Sequence, residues 1–209
     1  MHSDIQAVST NMCIDCTSNI LSTIHNDDKN IAIYERDISH LNNEIEVLSS
    51  QATEFRYNGK VQEISKRIKE AFCKQCPKLY LDFIELIELF KDVTGAEEFK
   101  FFIHTVTTDM CRKFHTDIND LRMLCTYAGP GTLWVAEDDN SSKSQSSSHE
   151  VNIVKDSIHQ VKTGNVVILK GALYPNSNPA IHKSPSILKN GVTRLLLRID
   201  TNETSKLWS

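Results

Sequence analysis

The feature that most constrains this chain is a change of period near residue 96. Before it, apolar residues recur at three- and four-residue intervals. After it they fall into short runs and alternations separated by Gly, Pro and Asn. The first pattern suits helices that bury one stripe, and the second suits the short strands of a sandwich or barrel. A chain of 209 residues, 40% of them hydrophobic, has enough apolar surface for one domain in which the two patterns pack together.

In the first half, residues 30–38 (NIAIYERDI) alternate and read as a strand. Ser39 is a candidate N-cap for a helix over 40–51, with Leu41, Ile45 and Leu48 at helical spacing. A second helix is expected over 61–76, striped by Val61, Ile64, Ile68 and Phe72 and interrupted by Pro77. A third, over 78–93, is apolar across a wide face (Leu79, Phe83, Leu86, Phe90), which predicts packing on a sheet, with Gly95 as its stop. Beyond residue 96, strands are expected over 99–107, 121–127, 132–135, 157–161, 165–169 and 193–199. The serine-rich run 140–148 (NSSKSQSSS) has nothing to bury and reads as a mobile loop. The expected organisation is therefore a single domain, 1–209, with a mainly helical part (1–95) and a β part (96–201).

The net charge of −4 argues against a general nucleic-acid binder, which needs a basic face to neutralise phosphates. No segment approaches the roughly 18–20 apolar residues of a membrane span. The opening residues MHSDIQAVSTNMCIDC lack the apolar core of a signal peptide, so a cytoplasmic location and reduced thiols are expected. The partner this leaves in view is a small-molecule substrate.

His115-Thr116-Asp117 is the sharpest chemical signal. On extended backbone, residues two apart point the same way, so His115 and Asp117 can reach one metal together. His182 is the best-placed third ligand in the β half. Two His and one carboxylate fill one face of a divalent metal and leave the opposite face open, the arrangement that suits non-haem Fe(II). The competing reading is a chance spacing with an ordinary surface role. In 193–200 (TRLLLRID), Leu195, Leu197 and Ile199 share one face while Arg194, Leu196 and Arg198 share the other. If the first packs under the helices, Arg194 or Arg198 is directed into the barrel, where a planar guanidinium can hold a carboxylate bidentately. A surface pair with Asp200 is the alternative.

Of the six cysteines, Cys13/Cys16 and Cys73/Cys76 have zinc-ligand spacing, but the two pairs lie far apart and read better as free thiols. Cys111 and Cys125 flank the His-x-Asp motif. Cys111 is retained as an additional or alternative ligand, one that would favour zinc over iron. Gly129-Pro130-Gly131 reads as a tight turn, Thr126 and Tyr127 as candidates to line the pocket or as core residues, and Lys170 as a solvated strand end. His104 and His159 read as structural or exposed.

The runs MCRKFHTDINDLRMLCTYAGPGTLWV, TGNVVILKG, IHKSP and TRLLLRID resemble an uncharacterised bacterial family, the domain of unknown function numbered 1826. The resemblance is close over 110–135 and 163–200 and weaker before them. It implies that His115, Asp117, Arg122, Gly129, Pro130, Gly131, Trp134, Lys170, His182, Ser184, Pro185 and Arg194 occupy motif positions. Arg198 has no clear counterpart, which favours Arg194 as the anion clamp. The fold implied is a double-stranded β-helix, a cupin-like jelly-roll barrel of the α+β class with the N-terminal helices packed on it. The expectation is an Fe(II)- and 2-oxoglutarate-dependent dioxygenase: His115, Asp117 and His182 as ligands, and Arg194, with Tyr127 and Arg198, at the cosubstrate. The rivals are a non-catalytic zinc or iron handler on the same fold and an interaction domain with a decayed site.

Overall fold

The computed structural model describes residues 11–136, 157–176, 178–188 and 191–201. The serine-rich run 140–148 and Asn190 lie outside them. Among the described residues ten strands form two sheets: β1 (Met12–Asp15), β2 (Ile31–Tyr34), β3 (Glu54–Lys60), β4 (Glu98–Val106), β5 (Leu121–Ala128), β6 (Leu133–Val135), β7 (Ile158–Gln160), β8 (Val166–Lys170), β9 (His182–Lys183) and β10 (Arg194–Thr201). Three α-helices, α1 (Asn42–Ser50), α2 (Val61–Phe72) and α3 (Leu79–Thr94), complete a mixed α+β fold. The large sheet runs β1-β2-β8-β5-β10-β4-β3 and the small one β7-β6-β9.

Strand alternation builds two cores, one on each face of the large sheet. Leu195, Leu197 and Ile199 of β10 join Met123 and Cys125 of β5 and Phe99, Phe101 and Ile103 of β4 against the helices. The helices meet them with Val61, Ile64, Ile68 and Phe72 of α2 and Leu79, Phe83, Leu86 and Phe90 of α3. On the other face, Ile31, Ile33, Leu124, Val167 and Leu169 pack with Trp134, Ala136, Val161 and Ala180, the second group lying in and around the small sheet. Strands β2 and β8 are covered on both faces and are therefore apolar at nearly every position.

The first 95 residues are less helical than their period suggests. They supply β1, β2 and β3, three of the seven strands of the large sheet. Strand β1 pairs parallel to β2, with a 3-10 helix (Ser18–His25) in the connection that parallel pairing requires. Strand β3 is an edge strand with only Phe55 and Tyr57 turned inward, too few apolar residues to register as a strand. Helix α2 ends at Phe72 rather than Cys76. The Glu44 carboxylate accepts hydrogen bonds from the Lys78 and Leu79 amides (2.9 and 2.7 Å) and so caps the start of α3. Gly95 ends α3 in the left-handed region at φ 67°. Among the described residues no helix is long and apolar enough to cross a membrane.

A buried polar network ties the helical layer to the sheet. Arg36 donates to both oxygens of Asp82 on α3 (2.6 and 3.0 Å) and through Nε to the Gly164 carbonyl (2.9 Å). The Tyr127 hydroxyl donates to the same carboxylate. Tyr127 therefore belongs to the helix-side core, on the face of β5 opposite Leu124 and the small sheet, and does not line the candidate site. The expectation that it binds cosubstrate is corrected by strand parity. Breaking this pair leaves a buried guanidinium uncompensated, so Asp82→Ala should destabilise by about 3 kcal/mol or more. Glu54→Ala, which removes the exposed Arg56 pair, should cost about 0.5 kcal/mol or less. Urea unfolding of the two variants checks the contrast.

Burial pushes the neighbouring Cys125 thiol up to about 11 and the Tyr127 hydroxyl well above its ordinary value. Above pH 9 the unfolded chain releases the Cys125 proton while the folded chain retains it, so stability falls as pH rises. The loss should be on the order of 2 kcal/mol by pH 11, with Tyr127 adding in the same direction above pH 10. Cys125→Ser, whose hydroxyl does not titrate there, should flatten the lower part of that decline in urea unfolding at stepped pH.

Candidate metal centre

Two backbone hydrogen bonds create the centre. The amides and carbonyls of His115 and His182 pair reciprocally at 3.0 Å in an isolated antiparallel bridge, which sets the two residues opposite each other. Their rings lie 4.6 Å apart between centroids. Two residues on, Asp117 is held by the segment after β8: its carbonyl accepts from the Ala172 amide (2.8 Å), and the Asn119 and Asp120 carbonyls accept from Leu173 and Gly171. Gly171 is obligatory for this approach, because a Cβ there would sit 2.1 Å from the Asn119 carbonyl oxygen.

One ligand atom from each of His115, Asp117 and His182 lies within 4.8 Å of the others. Asp117 and His182 are buried and His115 is about one-third exposed. The tautomers follow from the neighbours. His182 Nδ1 faces the Ala180 carbonyl at 3.1 Å and His115 Nδ1 the Lys113 carbonyl at 3.2 Å. A carbonyl only accepts, so each Nδ1 carries the proton and each neutral ring presents a bare Nε2. His182 Nε2 then stands 3.3 Å from Asp117 Oδ2, a buried oxygen that accepts no aligned hydrogen bond. Two lone pairs directed at each other across that gap are satisfied together by a cation, so the donor set fits a divalent metal.

The carboxylate is positioned from behind. Arg122 contacts Asp117 Oδ1 through Nη1 (2.5 Å) and holds Asp200 through Nε (2.5 Å) and Nη2 (3.3 Å). Asp200 is its direct cross-strand partner. Burial works against ionisation of Asp117, yet His182 and the Arg122 charge outweigh it and bring the carboxyl below its ordinary range. Arg122 is the residue behind this centre that spacing alone did not assign. Its signal was a single charge on the polar parity of β5, opposite Asp200.

The two candidate arginines of β10 part company. Arg194 is 1% exposed, and its Nη2 donates to the Thr126 hydroxyl (3.2 Å). Among the described residues its Nε has no hydrogen-bond partner and no carboxylate pairs with it. Burial without a counter-ion draws it down to about 10. Arg198 instead lies 3.1 Å from Asp200 and 4.1 Å over the Phe102 ring, so its expected cosubstrate role gives way to the pair with Asp200. Cys111 is exposed, at φ 43°, and its sulfur does not join the His-Asp-His group. Lys170 is buried, donating to the Asn26 carbonyl (2.8 Å) beneath the Tyr174 ring, because β8 parity turns it under the helices; it is not a solvated strand end. The other cysteines are free, and none belongs to a metal-competent group among the described residues.

The chain belongs to the family described as a protein of unknown function (DUF1826), whose model matches residues 15–200. No curated protein matches it. Among solved structures, dioxygenase for auxin oxidation 1 from Arabidopsis thaliana, in a binary complex with 2-oxoglutarate, superposes with a TM-score of 0.54 at 11% identity, covering 92% of each chain. A Pseudomonas putida prolyl-4-hydroxylase matches with a TM-score of 0.47 at 10% identity over 90% of this chain and 99% of that one. The first likeness shows a shared fold.

His115→Ala and His182→Ala should each abolish stoichiometric metal binding, measured by metal analysis of protein purified without chelators or a histidine tag. Arg122→Lys, which keeps the charge but not the fork, should weaken metal affinity by roughly tenfold or more in chelator competition.

Proposed function

Starting from that family and fold, we propose that the protein is an Fe(II)- and 2-oxoglutarate-dependent dioxygenase acting on a small-molecule substrate, built on a double-stranded β-helix. The observation that carries the reading is Arg194. A buried guanidinium without a carboxylate is costly, and a ligand that brings one removes the cost. Arg194 projects from the same face of β10 that borders the barrel interior, and Thr126 adds a hydroxyl beside it. One end of 2-oxoglutarate would be received by Arg194 and Thr126, leaving its oxo-acid end for the metal.

The metal would be held by His115, Asp117 and His182 on one face, with the opposite face left for cosubstrate and oxygen. When bound, Fe(II) with 2-oxoglutarate supplies oxidative decarboxylation to succinate and the oxidant for the substrate. The chain's own contribution is positional. The Ala180 and Lys113 carbonyls keep both Nε2 atoms bare, Arg122 holds Asp117 ionised and aimed, and the core around Trp134, Val161 and Leu196 excludes water from the interior. Iron is favoured over zinc because Cys111, the soft ligand that suits zinc, stands outside the group.

Anaerobic addition of Fe(II) and then 2-oxoglutarate should produce the weak visible charge-transfer band of the chelate, and air should then yield succinate. Arg194→Met should lower 2-oxoglutarate affinity by about tenfold or more while metal content is retained. Metal-replete protein that gives neither band nor succinate overturns the proposal.

A further inference from the structure

The structure has a second polar feature beside the metal centre that the oxygenase reading leaves unused. A cleft of about 150 Å³ is lined by Asp109, Met110, Arg112, Lys183, Ser184, Pro185 and Ser186. Its two walls are the chain on either side of the histidine bridge: one leads into His115 and the other leaves His182. Whatever occupies it is therefore held at the shoulder of the metal site.

The charges lining this cleft leave one net positive: Arg112 acts on the Asp109 carboxylate without forming an ion pair with it, and Lys183 adds a second cation. Asp109 is spent on the opposite wall, where its carboxylate accepts from the Ser186 hydroxyl (2.9 Å) and the Ile187 and Leu188 amides (2.7 and 3.1 Å). Arg112 and Lys183 form no ion pair among the described residues; the Lys183 ammonium lies 4.6 Å over the Phe114 ring. The Ser184 hydroxyl makes no hydrogen bond among the described residues, whereas the neighbouring Ser186 is committed to Asp109. Two cations of different reach and a hydroxyl without a hydrogen bond among the described residues, all lining one concave site, match a tetrahedral or planar oxyanion.

We infer that this cleft binds an anionic group of the primary substrate, a phosphate or a carboxylate, through Arg112, Lys183 and Ser184. The rest of the substrate then reaches the metal along the bridge. This account of why an anion is held there rests on the oxygenase reading, but the anion site itself does not. Arg194 is a separate position, buried on β10 and hydrogen-bonded to Thr126, so cosubstrate and substrate anions are received at different cations.

The test is a titration of the full chain, followed through the amide resonances of Ser184 and Ser186, with methyl phosphate in one arm and acetate in the other. Saturable shifts are expected, and they should persist in Arg194→Met. They should weaken by about tenfold or more in the double variant Arg112→Gln, Lys183→Gln, whereas Lys91→Gln should leave them unchanged. Tighter binding of methyl phosphate assigns a phosphorylated substrate; equal or tighter binding of acetate assigns a carboxylate. Absence of saturable shifts with both anions, or equal binding by the double variant, overturns the inference. Because the readout needs neither iron nor 2-oxoglutarate, loss of the charge-transfer band with these shifts intact would sink the oxygenase and leave the anion site standing.

Discussion

The pair of backbone hydrogen bonds between His115 and His182 is the constraint on which the centre depends. They join a segment before β5 to the two-residue strand β9, which share no regular sheet. Because the bridge is antiparallel and the two residues are directly opposed, their side chains emerge side by side on one face. Asp117 follows at the spacing that returns to that face, and the loop after β8 pins its carbonyl. Backbone pairing therefore sets where the three side chains meet, and their neighbours add only tautomer and charge.

Three buried arginines show how this fold handles cations. Arg36 has Asp82 in a bidentate pair, and Arg122 is shared between Asp117 and Asp200. Arg194 has a neutral hydroxyl. The first two are compensated within the chain, one to bolt helices to sheet and one to aim a ligand. The third has no carboxylate among the described residues. An unpaired buried charge in a fold that pairs its others is a functional signal of the kind that perturbed ionisation gives at binding sites.

Strand β10 shows how one alternation serves both purposes. Its odd-numbered residues, Leu195, Leu197 and Ile199, close the helix-side core, and its even-numbered residues, Arg194, Leu196, Arg198 and Asp200, face the side that carries the site. A slip of one residue in register would exchange the two sets and bury every charge under the helices. Binding chemistry and core packing are thus specified by the same pairing.

Much of this was legible in the residues. The period changes marked three helices and seven strands close to their observed places, and the parity of β10 separated its core from its polar face. His115 and Asp117 two apart on extended backbone announced a shared direction. Local patterns act through neighbours in the chain, so the sequence carries them directly. It did not reveal β1 and β3, because short strands with few inward residues leave little periodic trace. In the sequence, strand parity alone did not separate Arg194 from Arg198, although the family resemblance favoured Arg194, and it did not remove Tyr127 from the pocket. Those outcomes turn on cross-strand register and on which carboxylate lies within reach. Asp200 takes Arg198, Asp82 takes Tyr127, and among the described residues Arg194 has the Thr126 hydroxyl but no carboxylate. Residue types and spacing determined what could bind a metal. Only the tertiary structure decided which charges were already neutralised, because that depends on distances between residues far apart in sequence.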